Sequence, residues 1–136
     1  MDTNVFISAM TSPAGISRQV LRACFVGKAK PLMGVALYTE YEDVMRRPEI
    51  LRRCPLSEND REALLDAFLS VCEWINIYFL WRPNLRDEGD NHLIELAVAG
   101  GASAIVTSNI RDLNSGELAF PALKILKPAA FFSILS

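Results

Sequence analysis

The feature that most constrains this fold is the alternation of short apolar segments with segments whose apolar residues recur every three or four positions. The second kind predicts helices, and short β-branched or aromatic runs predict strands. Such alternation favours an α/β fold, in which helices cover both faces of a parallel sheet. Strands are predicted at 30–33, 74–80, 103–107 and 124–126, and helices at 17–26, 35–45, 90–99 and from 57 and 128 onward.

Composition narrows the class of protein. A chain of 136 residues that is 51% hydrophobic is long enough for one domain with a real core, so we expect a single domain over 1–136. A net charge of -2 excludes a bulk basic nucleic-acid binder, although arginine clusters at 46–53 and 82–86 leave local patches open. Apolar runs fall short of the ~20 residues of a membrane helix, and no basic leader precedes Asp2, so neither a span nor a signal peptide is expected.

Cysteine and histidine usage narrows the chemistry further. The three cysteines, Cys24, Cys54 and Cys72, are widely spaced and form no C-x-x-C pair. This pattern disfavours a disulfide scaffold and a cysteine-rich zinc site, and it favours a reducing cytoplasm. His92 is the only histidine, which excludes a histidine-cluster metal site. We interpret it as a surface or helix-capping residue.

Four acidic residues stand at or near the places where α/β sheets hold ligands, outside the carboxyl ends of strands. They are Asp2, Glu40, Asp90 and Asp112. If the fold gathers them, their mutual repulsion requires a cation. A ligand set made of oxygens favours Mg²⁺ or Mn²⁺ over zinc. Such an ion activates water and stabilises charge on a phosphodiester.

Each acid also has a structural interpretation, which the sequence leaves open. Asp90 is well placed to cap a helix through its carboxylate. Glu40 has acidic neighbours and could belong to a solvated helix face, and Asp112 could end a loop. Asp2 is the hardest to explain in this way, because a charge beside an apolar segment needs compensation.

Four motifs stand in series along the chain. They are Asp2–Ser8, Glu40–Val44 followed by Arg47-Pro48, the box Asp87–Asn91 before an alanine-rich helix, and Val106–Asp112. These motifs resemble those of the PIN-domain ribonucleases in order and spacing over nearly the whole chain, and the likeness is greatest to VapC-like toxins of prokaryotic toxin–antitoxin pairs. The resemblance implies a three-layer α/β/α sandwich with a central parallel sheet, and Mg²⁺- or Mn²⁺-dependent hydrolysis of single-stranded RNA.

The resemblance also implies roles for individual residues. Asp2, Glu40 and Asp90 would be the first three metal-binding acids, with Glu40 chosen over Glu42 by its distance from the Arg-Pro pair. Asn109 stands where the wider family often has aspartate; it would coordinate through its carbonyl oxygen, and Asp112 would be the fourth acid. The auxiliary residues are Asn4 and Ser8, which would brace Asp2; Asp87, a further ligand; and Thr107 and Ser108, which would position the loop or a phosphate.

Two departures from the family pattern keep a second function open. Only Met1 precedes Asp2, where relatives have several apolar residues, and Asn109 lowers the charge of the site. The alternative is a catalytically weak or silent module that acts by binding protein or RNA. Receiver and haloacid-type phosphotransfer domains are disfavoured because their acidic motifs are absent. The expected partners are RNA and an antitoxin that inserts a segment, with a homodimer as a further option.

Overall fold

The computed structural model describes residues 1–12, 14–76, 91–109 and 123–135, and it contains helices and short strands in alternation. Most agree with the predicted elements to within one or two residues. The helices are α1 (Thr3–Thr11), α2 (Ile16–Phe25), α3 (Val35–Met45), α4 (Pro48–Arg53), α5 (Glu58–Val71), α6 (Asn91–Gly100) and α7 (Pro128–Leu135). The strands are β1 (Leu32–Met33), β2 (Glu73–Trp74), β3 (Ala104–Val106) and β4 (Lys124–Leu126).

The strands form two parallel pairs. Strand β1 pairs with β2, with Leu32 opposite Glu73, and β3 pairs with β4, with Ile105 opposite Ile125. The parallel orientation agrees with the predicted α/β class. Among the described residues the two pairs do not join into one sheet, so the full three-layer sandwich remains a prediction.

Two helices have no counterpart in the sequence-based prediction, and one strand is shorter than predicted. The start of the chain is helical, because Val5, Phe6, Ala9 and Met10 follow helical spacing and all four are fully buried. Pro48 begins the second unpredicted helix, α4, whose first position tolerates proline. Strand β2 is shorter than the predicted run, of which residues 77–80 lie outside the described ranges.

An aromatic cluster joins three helices at the centre of the core. The ring of Phe6 on α1 lies 5.3 Å from the rings of both Tyr41 on α3 and Phe68 on α5, centroid to centroid. The Tyr41 hydroxyl donates a hydrogen bond to the Met1 carbonyl at 2.7 Å. Burial raises the pKa of Tyr41 well above its ordinary value, which keeps this donor protonated. The cluster therefore fixes α3 against the start of α1, beside the candidate site.

Candidate functional site

Asp2 lies where the start of α1 meets the carboxyl end of β3. Its backbone N–H donates to the Val106 carbonyl at 2.9 Å, and its side chain caps α1 by accepting from the Thr3 N–H at 2.8 Å. The amino end of a helix carries partial positive charge, which favours a carboxylate there. Asp2 thus lies at the carboxyl end of a strand, which is where α/β sheets hold ligands.

The Asp2 carboxylate is buried, with only 8% of the residue exposed, and its charge is compensated by hydrogen bonds. Oδ2 accepts from the Thr107 hydroxyl at 2.7 Å and from the Asn4 side-chain amide at 3.3 Å, while Oδ1 takes the capping bond. A buried charge is tolerated when it is hydrogen-bonded in this way. The structure thereby supplies the compensation that the sequence required.

Thr107 ties the loop after β3 to α1. This fully buried hydroxyl also accepts from the Asn4 amide at 3.3 Å and from the Asn109 backbone N–H at 3.0 Å. The Ser108 N–H donates to Asn4 Oδ1 at 3.2 Å. Ser8 lies further along α1, about 9 Å of helix from Asp2 at 1.5 Å per residue. Asn4 and Thr107 therefore hold Asp2 directly.

Glu40 on α3 directs its carboxylate toward Thr3, beside Asp2. Its Oε1 accepts from the Thr3 hydroxyl at 3.3 Å, and that hydroxyl also lies 3.5 Å from Asp2 Oδ1. Its Oε2 lies 2.7 Å from His92 Nε2 on α6. The His92 hydrogen bond is the main cause that lowers the pKa of Glu40; partial burial opposes it, and the charge of His92 and the Thr3 bond assist. One hydroxyl thus stands between two carboxylates that are distant in sequence.

His92 corrects the interpretation as a surface or capping residue. Its side chain is 19% exposed and pairs with Glu40, and within the described ranges its Nδ1 has no hydrogen-bond partner. The signal in the sequence was its position directly after the Asp87–Asn91 box, as the only histidine. Thr3 was also missed, because nothing in the sequence indicates that its hydroxyl contacts Glu40, 37 residues further along the chain.

Glu95 is a second acid that sequence reasoning passed over. It lies on α6, three residues after His92 and so on the same side of the helix, and it is only 5% exposed. Its signal was a carboxylate inside an apolar run, Leu93 to Ala97. Its burial shows that α6 carries polar groups into the protein as well as apolar ones.

Three predicted site residues, Asp87, Asp90 and Asp112, lie outside the described ranges. Asn109 is described and exposed, and its backbone bonds to Thr107. In the described part of the chain, no three histidine, cysteine, aspartate or glutamate side chains are close enough to share an ion. The carboxylates of Asp2 and Glu40 suit a hard cation by donor type, but they need further ligands.

Comparison with known proteins identifies the family. A model of the PIN domain matches residues 1–111, which include Asp2, Glu40, His92 and Thr107. The chain belongs to the PIN domain family. The resemblance seen in the sequence is thereby confirmed at the level of the family. PIN domains are generally metal-dependent nucleases with an α/β fold, so membership indicates a nuclease.

A curated relative of this PIN-domain protein is the uncharacterized protein MJ1680 of Methanocaldococcus jannaschii. The two are 34% identical over 120 residues, which cover 85% of this chain and 72% of the relative. No solved structure matches this chain. Among the described helices of the PIN-domain chain, none combines the length and apolar character needed to cross a bilayer.

Proposed function

We propose that this protein is a metal-dependent endoribonuclease of the toxin type, which hydrolyses phosphodiester bonds in single-stranded RNA with Mg²⁺ or Mn²⁺. The observation that carries the proposal is the juxtaposition of Asp2 and Glu40 on either side of the Thr3 hydroxyl, at the end of β3. Two carboxylates that converge from distant segments, in a chain of a nuclease family, support a cation site to which further residues contribute.

Asp90 is proposed as the third acid of the same site. His92 follows it by two residues and contacts Glu40 at 2.7 Å, which supports a short path from Asp90 to the two described carboxylates. Asp112 and the Asn109 carbonyl would complete the ligand set. Asp87 is proposed as a further ligand, Asn4, Ser8 and Thr107 as supports of Asp2, and Ser108 as a phosphate-positioning group.

Each described residue has a definite task in this proposal. Thr107 and Asn4 hold Asp2 Oδ2, so the carboxylate is oriented before a ligand arrives. Glu40 stays ionised at neutral pH, because its pKa is lowered. When bound, a divalent cation supplies Lewis acidity toward water and a phosphodiester oxygen.

Arginines beside the site are proposed to bind the RNA backbone. Arg47 follows the end of α3 and caps α4, and its charge contributes to the lowered pKa of Glu40. Arg47 forms an ion pair with Asp43 at 2.9 Å, and the two side chains are 51% and 67% exposed, respectively. Such a pair is worth only about 0–1 kcal/mol, so a phosphate can replace Asp43 at little cost. The neighbouring exposed residues are Arg46, Arg52 and Arg53.

The first experiment compares Glu40→Gln with Glu42→Gln in cleavage of a fluorogenic single-stranded RNA with Mn²⁺. Removal of outer-shell partners of metal ligands costs about 10–100-fold, so loss of the ligand should cost at least the upper figure. Glu42 lies on the same helix and accepts from Tyr38 instead, so its variant should cleave normally. Equal activity of both variants would overturn the role of Glu40.

A second experiment tests Asp90. We expect Asp90→Asn to abolish cleavage while the melting temperature stays the same or rises, because one charge of a crowded site is removed. If the variant unfolds but the folded fraction still cleaves RNA, Asp90 is a helix cap and the mechanism is wrong.

The alternative, a silent binding module, is favoured by one observation: Asn109 stands where the wider family often has aspartate, which lowers the negative charge of the site. A Mn²⁺ titration separates the two functions. A ligand at 100 times its Kd stabilises the native state by about 2.7 kcal/mol, so a nuclease site should raise the melting temperature by several degrees. A silent module should show no such rise.

The toxin assignment includes an antitoxin partner, a cytoplasmic location and a single domain over 1–136. The antitoxin partner follows from the resemblance, the location from the cysteine usage and the single domain from the chain length. The toxin assignment has its own test. Expression of the chain alone should arrest growth of a bacterial host, and Asp2→Asn should abolish the arrest. Growth arrest by both forms would point to a cause other than cleavage.

A further inference from the structure

We propose that His92 is a positioning residue that leaves Glu40 one oxygen for an ion, so that the site selects Mg²⁺ or Mn²⁺ over Ca²⁺. The inference rests on the proposed function, in which Asp2 and Glu40 hold a divalent cation. The four sequence motifs give His92 no task, since it follows the box that ends at Asn91. The observations that carry the inference are the hydrogen bonds that the two carboxylates already accept.

The two oxygens of the Glu40 carboxylate have partners of unequal strength. Oε2 lies 2.7 Å from His92 Nε2, whereas Oε1 accepts from the Thr3 hydroxyl at 3.3 Å. Hydrogen bonds to an ionised acceptor are short and about twice as strong as neutral ones, and the contact with His92 belongs to this class. The Thr3 bond is long for a hydroxyl donor, whose usual range is about 2.5–3.0 Å. A cation therefore meets less competition at Oε1 than at Oε2.

The position of His92 is fixed by the helix that carries it. The next two residues, Leu93 and Ile94, are buried in the core, and α6 contacts α3. The His92 side chain is 19% exposed and that of Glu40 is 34% exposed, so the carboxylate remains partly open to solvent. Because a carboxylate oxygen only accepts, Nε2 carries the proton of their hydrogen bond. A protonated nitrogen does not bind a cation, so His92 acts through Glu40.

The Asp2 carboxylate is restricted in the same way. Its Oδ2 accepts from the Thr107 hydroxyl at 2.7 Å and from the Asn4 amide at 3.3 Å, and its Oδ1 accepts from the Thr3 N–H at 2.8 Å. Turning both oxygens of either carboxylate toward one ion would therefore break a short hydrogen bond. The donors to Asp2 also cap α1 and fix the loop after β3. His92 is thus the partner whose removal should disturb the fold least.

Coordination through one oxygen and through two oxygens favours different ions. Ca²⁺ takes about 6–8 oxygen ligands at about 2.3–2.6 Å and often binds a carboxylate through both oxygens. Mg²⁺ requires a near-ideal octahedron at about 2.0–2.1 Å and is usually held by one or two carboxylates together with waters. Mn²⁺ shares this preference for an octahedron of oxygens. A carboxylate that offers one oxygen therefore suits Mg²⁺ and Mn²⁺, and Ca²⁺ gains less from it.

The test measures ion binding rather than cleavage, on the 136-residue chain. The electron paramagnetic resonance signal of free Mn²⁺ gives the Mn²⁺ affinity, and the return of that signal on addition of CaCl₂ gives the Ca²⁺ affinity. We expect Mn²⁺ to bind the wild-type chain at least about tenfold more tightly than Ca²⁺.

Two variants of His92 that differ by one methylene group test the hydrogen bond. In His92→Gln the side-chain amide reaches close to the place of Nε2 and can donate to Oε2, whereas the shorter side chain of His92→Asn cannot. We expect His92→Asn to narrow the preference for Mn²⁺ by about 10–100-fold, as for other outer-shell partners, and His92→Gln to retain most of it. Thr3→Val removes the weaker bond on Oε1 and should leave the preference nearly unchanged. Circular dichroism verifies that all three variants fold.

The possible results distinguish this inference from the proposed function. A wild-type chain that binds neither ion would contradict the proposed function and the inference with it. Similar affinities of the wild-type chain for Mn²⁺ and Ca²⁺ would keep the cation site but overturn the selection. Equal weakening of both ions in His92→Asn, or the same narrowing in His92→Gln, would show that His92 supports the two helices without selecting the ion.

Discussion

Asp2 is a buried carboxylate that accepts hydrogen bonds from Thr3, Asn4 and Thr107, so its geometry depends on segments far apart in the sequence. The Thr107 hydroxyl is the shortest of these contacts, at 2.7 Å, and Thr107 itself is fully buried. Because its oxygen also accepts from Asn109 and Asn4, one side chain couples the loop after β3 to α1. The proposed ligand and its support therefore act as a unit.

Thr107→Val should destabilise the protein and weaken metal binding. The change keeps the shape but removes a buried hydroxyl, which leaves polar partners unsatisfied at about 1–3 kcal/mol. Loss of an outer-shell partner should lower Mn²⁺ affinity by about 10–100-fold. Thr39→Val is the control, because that exposed hydroxyl donates to the Val35 carbonyl of its own helix. Urea denaturation and a Mn²⁺ titration measure both effects; an unchanged affinity would argue against the coupling.

The cysteines should differ in reactivity at pH 8. Burial raises the pKa of Cys72 to about 12 and also raises that of Cys24, so both remain thiols at that pH. The thiolate is the reactive form. Cys54 is only half-buried and should be alkylated first by iodoacetamide, with one label per chain found by mass spectrometry in the native state. Rapid labelling of Cys72 would contradict the packing described here.

Helix α3 shows how an element carries both core and site. Leu37, Tyr41 and Val44 are buried on one side, while Glu40 turns its carboxylate toward Thr3 and His92. The aromatic cluster holds this helix, so core packing helps to place Glu40 beside its polar partners. A helix that shifts along the cluster would separate the two carboxylates.

Helix α5 provides a test of how strongly the sequence specifies an element boundary. The Ser57 hydroxyl accepts from the Asp60 N–H at 3.1 Å and caps the helix, as the sequence predicted. Ser57→Ala should therefore cost about 0.5–2 kcal/mol of unfolding free energy. Ser70→Ala on the same helix removes a hydroxyl that bonds to the Ala67 carbonyl, and it should cost less. Equal losses in urea denaturation would show that the cap contributes nothing particular.

At the scale of the whole molecule, the candidate site draws on α1, α3, α6 and the end of β3, so it exists only when these pack together. The core that joins them is continuous, from Phe6 through Tyr41 and Phe68 to Ile94 and Ile105. A shared core of this kind favours cooperative unfolding.

We expect one unfolding transition for the chain as a whole, as befits a single domain. Near-UV and far-UV circular dichroism should give the same midpoint in urea, with a slope of about 1–3 kcal/mol per molar. Two separated midpoints would instead indicate that the β1–β2 and β3–β4 halves fold independently.

The sequence by itself determined the class of fold, most element boundaries and the family. Local signals specify these: the 3.6-residue period of α3, the Ser57 cap and the proline at the start of α7 act within a few residues. The predicted helix 35–45 has its predicted bounds for this reason. The four motifs from Asp2 to Asp112 indicated the family, because their order and spacing are read from the sequence without any knowledge of contacts.

Only the tertiary structure decided which side chains meet. That Thr3 lies between Asp2 and Glu40, that His92 pairs with Glu40, and that Glu95 is buried depend on how α1, α3 and α6 pack. The β-branched start became helical because its burial pattern, not its propensity, matched the core. Contacts between distant segments are set by the sum of many weak packing terms, and no local pattern in the chain encodes that sum.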